Sequence, residues 1–489
     1  MEKSFLKIHL LALFGASLLL IINWPYDLGF TPDSISYLEV ARNLTAGDGV
    51  VNNEGGLVNH WPPLFALSIS FVSLILNIDE VQSGTILMSI LFYLFLTVNM
   101  NILRLLKVNN LVVLIFGFCL IFSPVSLNFI NFLSEGLFLV LLSISFYFFL
   151  KWMHNHRTKN LLICALSCSL FFLTRYAGIA FIGCYCLYLF FFNKEKLVHR
   201  SKTTLSFVSI FVLGVMPWFI YQTNFEKPKI GREIAAHIIP ISKIQDFGIT
   251  IVRWFLGSKV AIILFAITLI LCFLKRKIVM AQVLTIYKMN KNLVQQIFLF
   301  LFFYPLLLVI SISFFDSYTP INNRILSPLL SFILILFFLF LNLLNENKEK
   351  LLFMTSALFL LLSFSISIFP SLKRHYVEGS GYSNKAWVES QTLSYLKKNT
   401  NKKPVFSNGI ELGKLHLNKD FNMLPRQNEP IAIDKLIKKI KKAEAKVVFF
   451  EQVNWRNYLV SGHKLKELVG EDYLLEFKDG FIIENFIDE

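Results

Sequence analysis

Charged residues are scarce in this chain of 489 residues. They make up 16% of it, against about 25% in a typical soluble protein, whereas hydrophobic residues make up 55%. This composition excludes a disordered chain and disfavours an ordinary soluble enzyme. The long runs of Leu, Ile and Phe have no period of two, so they also disfavour a membrane β-barrel. The class that remains is a polytopic α-helical membrane protein.

The sequence also lacks the cysteine and histidine patterns of metal and redox sites. Its six cysteines all lie in apolar runs without the spacing of zinc ligands, and no H-E-x-x-H motif occurs. The polar C-terminal part contains no cysteine, no P-loop, no G-x-G-x-x-G and no nucleophile elbow. We therefore expect no disulfide framework, and the cysteines are better explained as small packing residues.

Apolar stretches separated by polar breaks predict about eleven membrane spans. The first resembles a signal peptide, but no small-x-small cleavage site follows it, so we expect a retained helix. A further apolar run from Pro62 to about Asn77 is predicted as a juxtamembrane helix that does not cross. The predicted spans are residues 5–23, 81–105, 108–123, 133–152, 160–174, 177–193, 204–224, 258–274, 294–315, 324–344 and 351–370.

The connections between these spans differ in charge. Those on one side, with the N-terminus, carry 18 basic and four acidic residues, a net charge of +14. On the other side, the connection from Trp24 to Glu80 has Arg42 alone against seven acidic residues. Basic connections stay in the cytoplasm, so we expect the N-terminus inside and the loop 24–80 outside. Topology thus accounts for nearly all of the net charge of +15, and no nucleic-acid partner is expected.

Residues 371–489 have a different composition, with 20 basic and 16 acidic residues. We predict a transmembrane domain over 1–370 and a small soluble α/β domain over 371–489. An odd number of spans places this second domain outside the cytoplasm. Its predicted helices are Asn384–Lys398 and Ile433–Ala445, and its predicted strands are Pro404–Ser407, Lys446–Phe450, Tyr473–Phe477 and Gly480–Ile483.

The first external loop contains a candidate catalytic carboxylate. Thr31 or Pro32 can begin a helix, with Asp33 in its first turn and Tyr37 one turn later. The apolar residues that follow share one face, which predicts a short helix at the membrane surface. A carboxylate at this position can cap the helix, or it can act as a general base where a substrate meets the lipid surface.

Three further charged residues lie at the outer ends of predicted spans: Glu135, Arg175 and Arg324. A charge within the hydrocarbon region costs about 2.5–3.5 kcal/mol on insertion scales, so such residues either extend to the interface or face a cavity. Since they share the outer side with Asp33, we expect one external cavity. Transfer of a sugar from a lipid phosphate would use these groups, because it needs a base for the acceptor proton and cations for the departing phosphate.

The string Asp33-Ser34-x-x-Tyr37-Leu38-x-x-Ala41-Arg42-Asn43-Leu44, with Trp61-Pro62-Pro63-Leu64 after it, resembles the C-type (GT-C) membrane glycosyltransferases. The nearest group is that of bacterial members near family 39, the protein O-mannosyltransferase and aminoarabinose-transferase superfamily. The resemblance implies many spans, juxtamembrane helices in the first external loop and an extracytoplasmic C-terminal domain. It also implies a polyprenyl-phosphate sugar as donor and a location in the bacterial plasma membrane.

The same resemblance implies roles for individual residues. Asp33 matches the catalytic aspartate of the family, and Glu135 in Ser134-Glu135 resembles its second acidic position, so the resemblance implies that both are catalytic. Several members have two adjacent acids after the first span, whereas Ser34 follows Asp33 here, so we expect no metal and no other cofactor. The residues expected to bind substrate are Tyr37, His60, Arg175 and Arg324.

The leading hypothesis is an inverting glycosyltransferase that moves a sugar from a polyprenyl-phosphate donor to a glycan, lipid or protein acceptor. A transporter or flippase for lipid-linked sugars is an alternative, and it would show internal repeats and broken helices near the membrane midplane. A glycan polymerase or ligase is another, which would rely on a large mid-chain loop. The sequence has no convincing repeat, and its longest outer connection in mid-chain, about 225–257, is modest.

Overall fold

A computed structural model of the chain describes residues 2–225, 236, 239–314, 319–399 and 403–485. The chain divides into two compact units. The membrane unit comprises Met1–Trp24 and Val40–Tyr376, and the C-terminal unit comprises Pro25–Glu39 and Val377–Glu489. The short segment 25–39 therefore groups with the C-terminal part of the chain. The predicted division into residues 1–370 and 371–489 did not include this grouping.

Apolar runs form most of the helices that precede residue 379. The described helices are α1 (Glu2–Asn23), α2 (Pro32–Ala46), α3 (Leu64–Leu76), α4 (Glu80–Leu105), α5 (Asn110–Ile121), α6 (Glu135–Asn155), α7 (Thr158–Phe172), α8 (Ile179–Leu187), α9 (Leu197–Gln222), α10 (Ile241–Leu256), α11 (Lys259–Leu274), α12 (Arg276–Met289), α13 (Lys291–Phe314), α14 (Asn323–Glu346) and α15 (Lys350–Glu378). Short 3₁₀ segments lie at Pro124–Phe129 and Tyr176–Gly178, and a π-helical turn lies at Tyr188–Phe192.

Among the described residues, seven helices are long and apolar enough to cross a membrane: α1, α4, α6, α9, α13, α14 and α15. The count rises to eight when the bent pair α10–α11 is taken as one span. The predicted class, a polytopic helical membrane protein, is confirmed. The predicted spans 108–123, 160–174 and 177–193 fold as apolar helices of 10–17 residues, so the number eleven stays a prediction. The apolar run before Asn77 forms the helix α3, which ends at Leu76 and is capped by Asn77 with a left-handed φ of 53°. Its position at the membrane surface stays a prediction.

Close packing of small residues and internally bonded polar groups holds the membrane unit together. A Cβ added to Gly84 of α4 would lie 2.3 Å from the Phe132 ring, so only glycine allows this approach. In the apolar core, the Asn99 amide donates to Phe95 O at 2.9 Å and to Ser143 Oγ at 3.0 Å, which links α4 to α6. These bonds give the Asn99 amide and the Ser143 hydroxyl partners inside an apolar core, where water is not available to supply them.

Helices α10 and α11 meet at an angle of 82°. The break falls at Gly257–Ser258, and Ser258 Oγ accepts a hydrogen bond from Ala261 N at 3.1 Å, which caps α11. On the other side of the break, Ser363 Oγ of α15 donates to the Phe255 carbonyl at 2.6 Å. Side chains thus compensate backbone groups that the interruption leaves outside the regular helix pattern.

The C-terminal unit contains a mixed five-stranded sheet with the order β2-β1-β3-β5-β4. Strand β1 pairs in parallel with β2 and β3, whereas β5 pairs antiparallel with β3 and β4. The strands are β1 (Val405–Ser407), β2 (Asn422–Met423), β3 (Lys446–Phe450), β4 (Leu474–Phe477) and β5 (Gly480–Ile483). The helices are α16 (Lys385–Val388), α17 (Gln391–Lys398), α18 (Ile410–Leu412), α19 (Pro430–Lys441) and α20 (Gly462–Val469), with a π-helical turn at Gly413–Leu417 and a 3₁₀ turn at Glu471–Tyr473.

The four predicted strand regions of this unit all contain strands, and α19 overlaps the predicted helix Ile433–Ala445 but begins earlier, at Pro430. The apolar side of α19 explains why it docks on the sheet: Ile433, Leu436 and Ile440 are buried. They join residues of β3 and β5 in one hydrophobic core. Strand β2, α20 and the segment 410–417 were not predicted, because each is too short to show a clear period.

Segment 25–39 is bonded to the C-terminal part of the chain by backbone and side-chain contacts. Phe30 and Gly381 form a parallel bridge, in which Tyr382 N donates to Phe30 O at 2.9 Å. Ser383 Oγ donates to Leu28 O at 2.6 Å. Gly381 has a φ of +61°, and a Cβ there would lie 1.9 Å from Phe30 O, so the bridge requires glycine.

Candidate active site

Helix α2 begins where the sequence predicted and carries Asp33 in its first turn. Thr31 and Ser34 bond reciprocally at this end: Thr31 N donates to Ser34 Oγ at 3.0 Å, and Ser34 N donates to Thr31 Oγ1 at 3.4 Å. These two side chains therefore supply capping bonds at the helix start, so the helix does not depend on Asp33 as its N-cap. Tyr37, one turn later, is buried, and Asp33 is partly exposed.

Two arginine side chains from distant parts of the membrane unit meet at Glu135. Arg175 Nη1 donates to Glu135 Oε1 at 2.5 Å, and Arg324 Nε lies 3.2 Å from the same oxygen. Arg175 also donates to Ser134 Oγ at 3.3 Å. The Glu135 side chain is 5% exposed, while those of Arg175 and Arg324 are 21% and 28% exposed. Both arginine side chains are therefore partly exposed, whereas the carboxylate between them is buried.

Helix ends position these three side chains. Glu135 is the first residue of α6, Arg175 lies in extended backbone after α7, and Arg324 is in the first turn of α14. A carboxylate is favourable at a helix N-terminus, because the exposed N–H groups there carry partial positive charge. The sequence placed each residue at the end of a span, and the fold brings these ends together.

A polar cavity of about 230 Å³ opens beside Glu135 and Arg324. Its lining includes the side chains of Asn128, Asn131 and Asn323. Asn128 donates to Ser327 Oγ at 2.7 Å, and Asn323 donates to Pro124 O at 2.8 Å. These bonds fix the 3₁₀ segment Pro124–Phe129 against α14. In the described part of the chain, the buried Oε2 atom of Glu135 has no hydrogen-bond partner, an uncommon state for a buried carboxylate oxygen.

Aromatic side chains near the ends of α7 and α9 anchor the first loop. Tyr221 Oη accepts from Val50 N at 3.0 Å, and Trp218 Nε1 donates to Tyr176 Oη at 3.0 Å. Tyr176 in turn donates to Asn59 O at 3.3 Å, which orders the chain just before His60. The sequence analysis did not select these residues, although Tyr and Trp at span ends are the usual signature of a membrane interface.

His60 and Arg42, two polar residues of the same loop, have separate surroundings. His60 is exposed, and its ring meets Trp61 edge-on at 4.5 Å between centroids. Arg42 lies 3.9 Å from Glu80. Burial lowers the pKa of Arg42, and the attraction of Glu80 and Asp79 opposes that shift. The structure thus brings together Glu135, Arg175 and Arg324 of the predicted site residues. Asp33 and Tyr37 share the first turns of α2 within the C-terminal unit, and His60 lies in the loop.

Within the described residues, no group of three or more His, Cys, Asp or Glu side chains is arranged to hold a metal ion. Glu135 has two arginines as its charged neighbours, a setting that favours an anionic ligand over a cation. The six cysteines are all unpaired.

Two structures of ArnT from Cupriavidus metallidurans are similar to this chain. The apo form has a TM-score of 0.64 at 13% sequence identity, over 97% of both chains. The form bound to undecaprenyl phosphate has a TM-score of 0.62 at 13% identity, over 98% of both chains. The protein O-mannosyltransferase Pmt1-Pmt2 complex of S. cerevisiae, bound to its sugar donor, has a TM-score of 0.39 at 15% identity, over 48% of this chain and 38% of the other.

A comparison with protein-family models finds no match, and neither does a comparison with curated protein sequences. The likeness to solved structures shows the fold, which is that of a polytopic α-helical protein with seven or eight described helices long and apolar enough to cross a membrane. More particularly, it has the fold of ArnT, an aminoarabinose transferase, along nearly its whole length. The resemblance that the first-loop motif indicated is confirmed at the level of the fold.

Proposed function

We propose that this protein is an inverting glycosyltransferase that takes a sugar from a polyprenyl-phosphate donor at the extracytoplasmic face of the membrane. The observation that carries the proposal is the cluster at Glu135, where two partly exposed arginines converge on one buried carboxylate beside a polar cavity. Arginine forks bind phosphate oxygens in pairs, which suits the phosphate of a lipid-linked sugar. The ArnT structure bound to undecaprenyl phosphate supports a ligand of the same class.

The proposed reaction is a single displacement. Asp33 takes the proton of an acceptor hydroxyl, and the acceptor oxygen forms a bond to the anomeric carbon of the donor sugar. The bond between that carbon and the phosphate oxygen breaks, and its electron pair leaves with the polyprenyl phosphate. Arg175 and Arg324 stabilise the charge that develops on the phosphate. Attack opposite the leaving group inverts the configuration at the anomeric carbon. Because the phosphate departs without protonation by a general acid, one carboxylate base is enough, whereas glycoside hydrolases use two carboxylates.

Glu135 is proposed as a positioning residue. It was counted among the catalytic residues in the sequence analysis, and its Oε1 atom contacts both arginines. Those contacts fix the directions in which the two guanidinium groups point. Its Oε2 atom is buried and has no hydrogen-bond partner within the described residues, and it is proposed to accept a hydrogen bond from a hydroxyl group of the donor sugar. Tyr37 and His60 are proposed to contact the substrate from the first loop.

The side of the membrane can be tested with thiols placed at exposed positions. In a cysteine-free background, Asp48→Cys lies in the acidic first loop and Lys194→Cys in a basic connection, and both residues are exposed. We expect an impermeant maleimide added to intact cells to label position 48 and to label position 194 only after permeabilisation. The reverse pattern would contradict the proposed orientation and, with it, the extracytoplasmic site.

The function itself is tested by Asp33→Asn, with Asp48→Asn as the matched control. Both change an acid of the same loop to its amide, and Asp48 is exposed. Each variant is expressed in a deletion strain, and its envelope glycans and lipids are compared by mass spectrometry. We expect Asp33→Asn to lose the product and accumulate the lipid-linked donor at unchanged protein level, and Asp48→Asn to behave as the unmodified protein. Normal product from Asp33→Asn would refute the base assignment.

A lipid-linked sugar transporter remains the second candidate, and the bent pair α10–α11 favours it. Broken helices are common where transporters bind their cargo. In this chain, side chains such as Ser258 and Ser363 bond to the backbone at the break. Proteoliposomes that move labelled lipid-linked sugar across the bilayer without forming a glycosylated product would support the transporter.

A further inference from the structure

A second cavity, of about 460 Å³, lies within the C-terminal unit. It is found at the carboxyl ends of the parallel strands β1 and β3, since its lining includes Asn408, which follows β1, and Glu451, which follows β3. The first turn of α20 forms another wall, with Gly462 and His463. The crevice outside the carboxyl ends of parallel strands is where open α/β sheets bind ligands, and the volume is in the range of small-molecule sites.

One wall of this cavity is held rigidly. The Asn408 amide donates to Phe450 O at 2.8 Å, and Phe450 N donates to Asn408 Oδ1 at 2.9 Å, so this side chain joins the ends of β1 and β3. Arg456 donates to Asn408 O at 2.7 Å and to Glu411 Oε1 at 2.5 Å. Because these bonds already fix this wall, ligand binding there requires little further loss of conformational entropy.

The two cationic side chains that line this cavity, Arg456 and Lys466, already form ion pairs within the unit. Glu411 pairs with Arg456, and Glu476 pairs with Lys466 at 2.5 Å. Because a carboxylate holds each cation, the lining is a poor match for a strongly anionic ligand such as a phosphate. The rest of the lining includes amide groups, Glu451, His463 and the ring of Phe449. One face of that ring stacks on Phe481, so its other face is the one available to a ligand.

The amide groups of Asn454 and Asn457 point to the class of ligand. Both residues line the cavity and are exposed, and within the described part of the chain their side chains make no hydrogen bond to protein. A side-chain amide presents a donor and an acceptor next to each other. Adjacent hydroxyl groups of a sugar ring match this pair, and the C–H face of the ring matches an aromatic side chain.

We propose that this cavity is a binding site for a neutral saccharide, separate from the site at Glu135. The proposal goes beyond the proposed function, because it assigns a second site whose binding can be measured without turnover. A neutral saccharide is also the class of molecule that an envelope glycosyltransferase could use as an acceptor. The side chains that recognise it are Asn454 and Asn457, with Phe449 beneath the ring.

The test uses the full-length protein in nanodiscs, since maltoside detergents carry sugar headgroups that would compete. Saturation-transfer difference NMR is recorded with methyl N-acetylglucosaminide, maltose and cellobiose as neutral probes and with inorganic phosphate as a competitor. Asn454→Ala, Asn457→Ala and the double variant are compared with Gln452→Ala, an exposed amide of the same loop that does not line the cavity. Because each lost hydrogen bond weakens binding by about twofold to tenfold, we expect the double variant to lose the signal.

Signals from the ring protons of at least one neutral probe, retained in Gln452→Ala and lost in the double variant, support the proposal. Absence of signal for all three probes would overturn it, as would equal signal in the double variant or full displacement by phosphate. The Asp33→Asn protein provides the link to the proposed function. If it binds saccharide but does not transfer, both proposals stand, whereas loss of binding with normal transfer in the double variant separates the two sites.

Discussion

Lys414 forms an ion pair with Glu39, with 2.7 Å between Nζ and Oε2. Glu39 lies on α2, the helix that carries Asp33, and Lys414 belongs to the turn Gly413–Leu417 that follows β1 and α18. Asp420 lies 3.4 Å from the same Nζ. Burial alone would lower the pKa of Lys414, but the hydrogen bond and attraction of Glu39 and Asp420 outweigh it, so the pKa is raised.

Because the proposed base lies on α2, we expect Lys414→Ala to reduce transfer by loosening that helix. Breaking a partly buried pair of this kind costs about 1–3 kcal/mol, between the surface and buried limits. Transfer and thermal unfolding are measured side by side, and Glu39→Lys with Lys414→Glu is expected to recover part of both. The control is Lys385→Ala, since the pair Lys385–Glu389 is exposed. An effect on Lys385→Ala as large as that on Lys414→Ala would contradict the prediction.

The same pair has a defined dependence on pH. A lysine whose pKa is raised by folding stabilises the folded state below its unfolded value of 10.5, and that contribution is lost as pH rises through the folded value. The pair therefore stays intact throughout the physiological range.

The arginine cluster predicts a difference between two kinds of substitution. Arg324→Lys keeps the charge but loses the planar fork, so we expect kcat/KM for the lipid-linked donor to fall about 10²-fold, with little change in thermal unfolding. Arg253→Lys, at an exposed position of α10, is the control and should change neither quantity.

Glu135→Gln, in contrast, removes the shared carboxylate from beneath Arg175 and Arg324. Breaking a buried pair leaves uncompensated charge, so we expect the free energy of unfolding to fall by about 3 kcal/mol. Denaturant titration in mild detergent measures this change. A Glu135→Gln protein as stable as the unmodified one would show that the carboxylate is not the anchor of the cluster.

His416 predicts a pH-dependent stability of the C-terminal unit. Burial lowers its pKa below the usual 6.5, Lys397 adds to this effect, and the hydrogen bond to Tyr382 O at 2.8 Å opposes it. The unfolded state thus binds a proton more readily than the folded state, so stability is complete above 6.5 and falls as the pH drops through the lowered pKa.

We expect His416→Gln, which keeps a donor for Tyr382 but does not titrate, to flatten this dependence. The measurement is chemical unfolding at about pH 7.5 and at about pH 5, followed by the fluorescence of the buried Trp387. An equally steep fall in the His416→Gln protein would assign the pH dependence to other groups.

Gly381→Ala separates two costs of adding a side chain. Its φ of +61° and the Cβ contact of 1.9 Å with Phe30 O both oppose alanine. Gly55 has a φ of +79° with nothing within 4 Å, so Gly55→Ala pays the conformational cost alone, about 1 kcal/mol. We expect Gly381→Ala to be destabilised well beyond Gly55→Ala in thermal unfolding. Equal losses would mean that the bridge to Phe30 contributes nothing.

Local patterns made much of this fold predictable. The apolar runs indicated the seven described helices that are long enough to cross a membrane, but not α10 or α12, which lie in predicted connections. Short β-like runs indicated the strands β1, β3, β4 and β5, because these signals are contained within a few consecutive residues. The start of α2 was also readable, since Thr31 and Pro32 are helix-start residues. The number of spans was harder to predict from the sequence, because helix caps shorten helices inside apolar runs. One such cap is Asn109, whose Oδ1 accepts a hydrogen bond from Leu111 N.

Contacts between residues far apart in the chain could not be predicted from the sequence. Glu135, Arg175 and Arg324 could be placed at span ends, but their meeting depends on how α6, α7 and α14 pack. The pairing of Phe30 with Gly381 spans most of the chain and has no local signature. The polar lining at Asn454 and Asn457 was equally hidden, since loop amides carry no period.

The bridge between Phe30 and Gly381 sets an order of assembly. The ribosome delivers segment 25–39 early, yet its bonding partners emerge only after every membrane helix has been made. Until then the stretch around Phe30 lacks these bonding partners. We therefore expect this pairing to form late, after the helices have inserted, and a chain that ends at Tyr376 lacks Gly381 and cannot form the bridge.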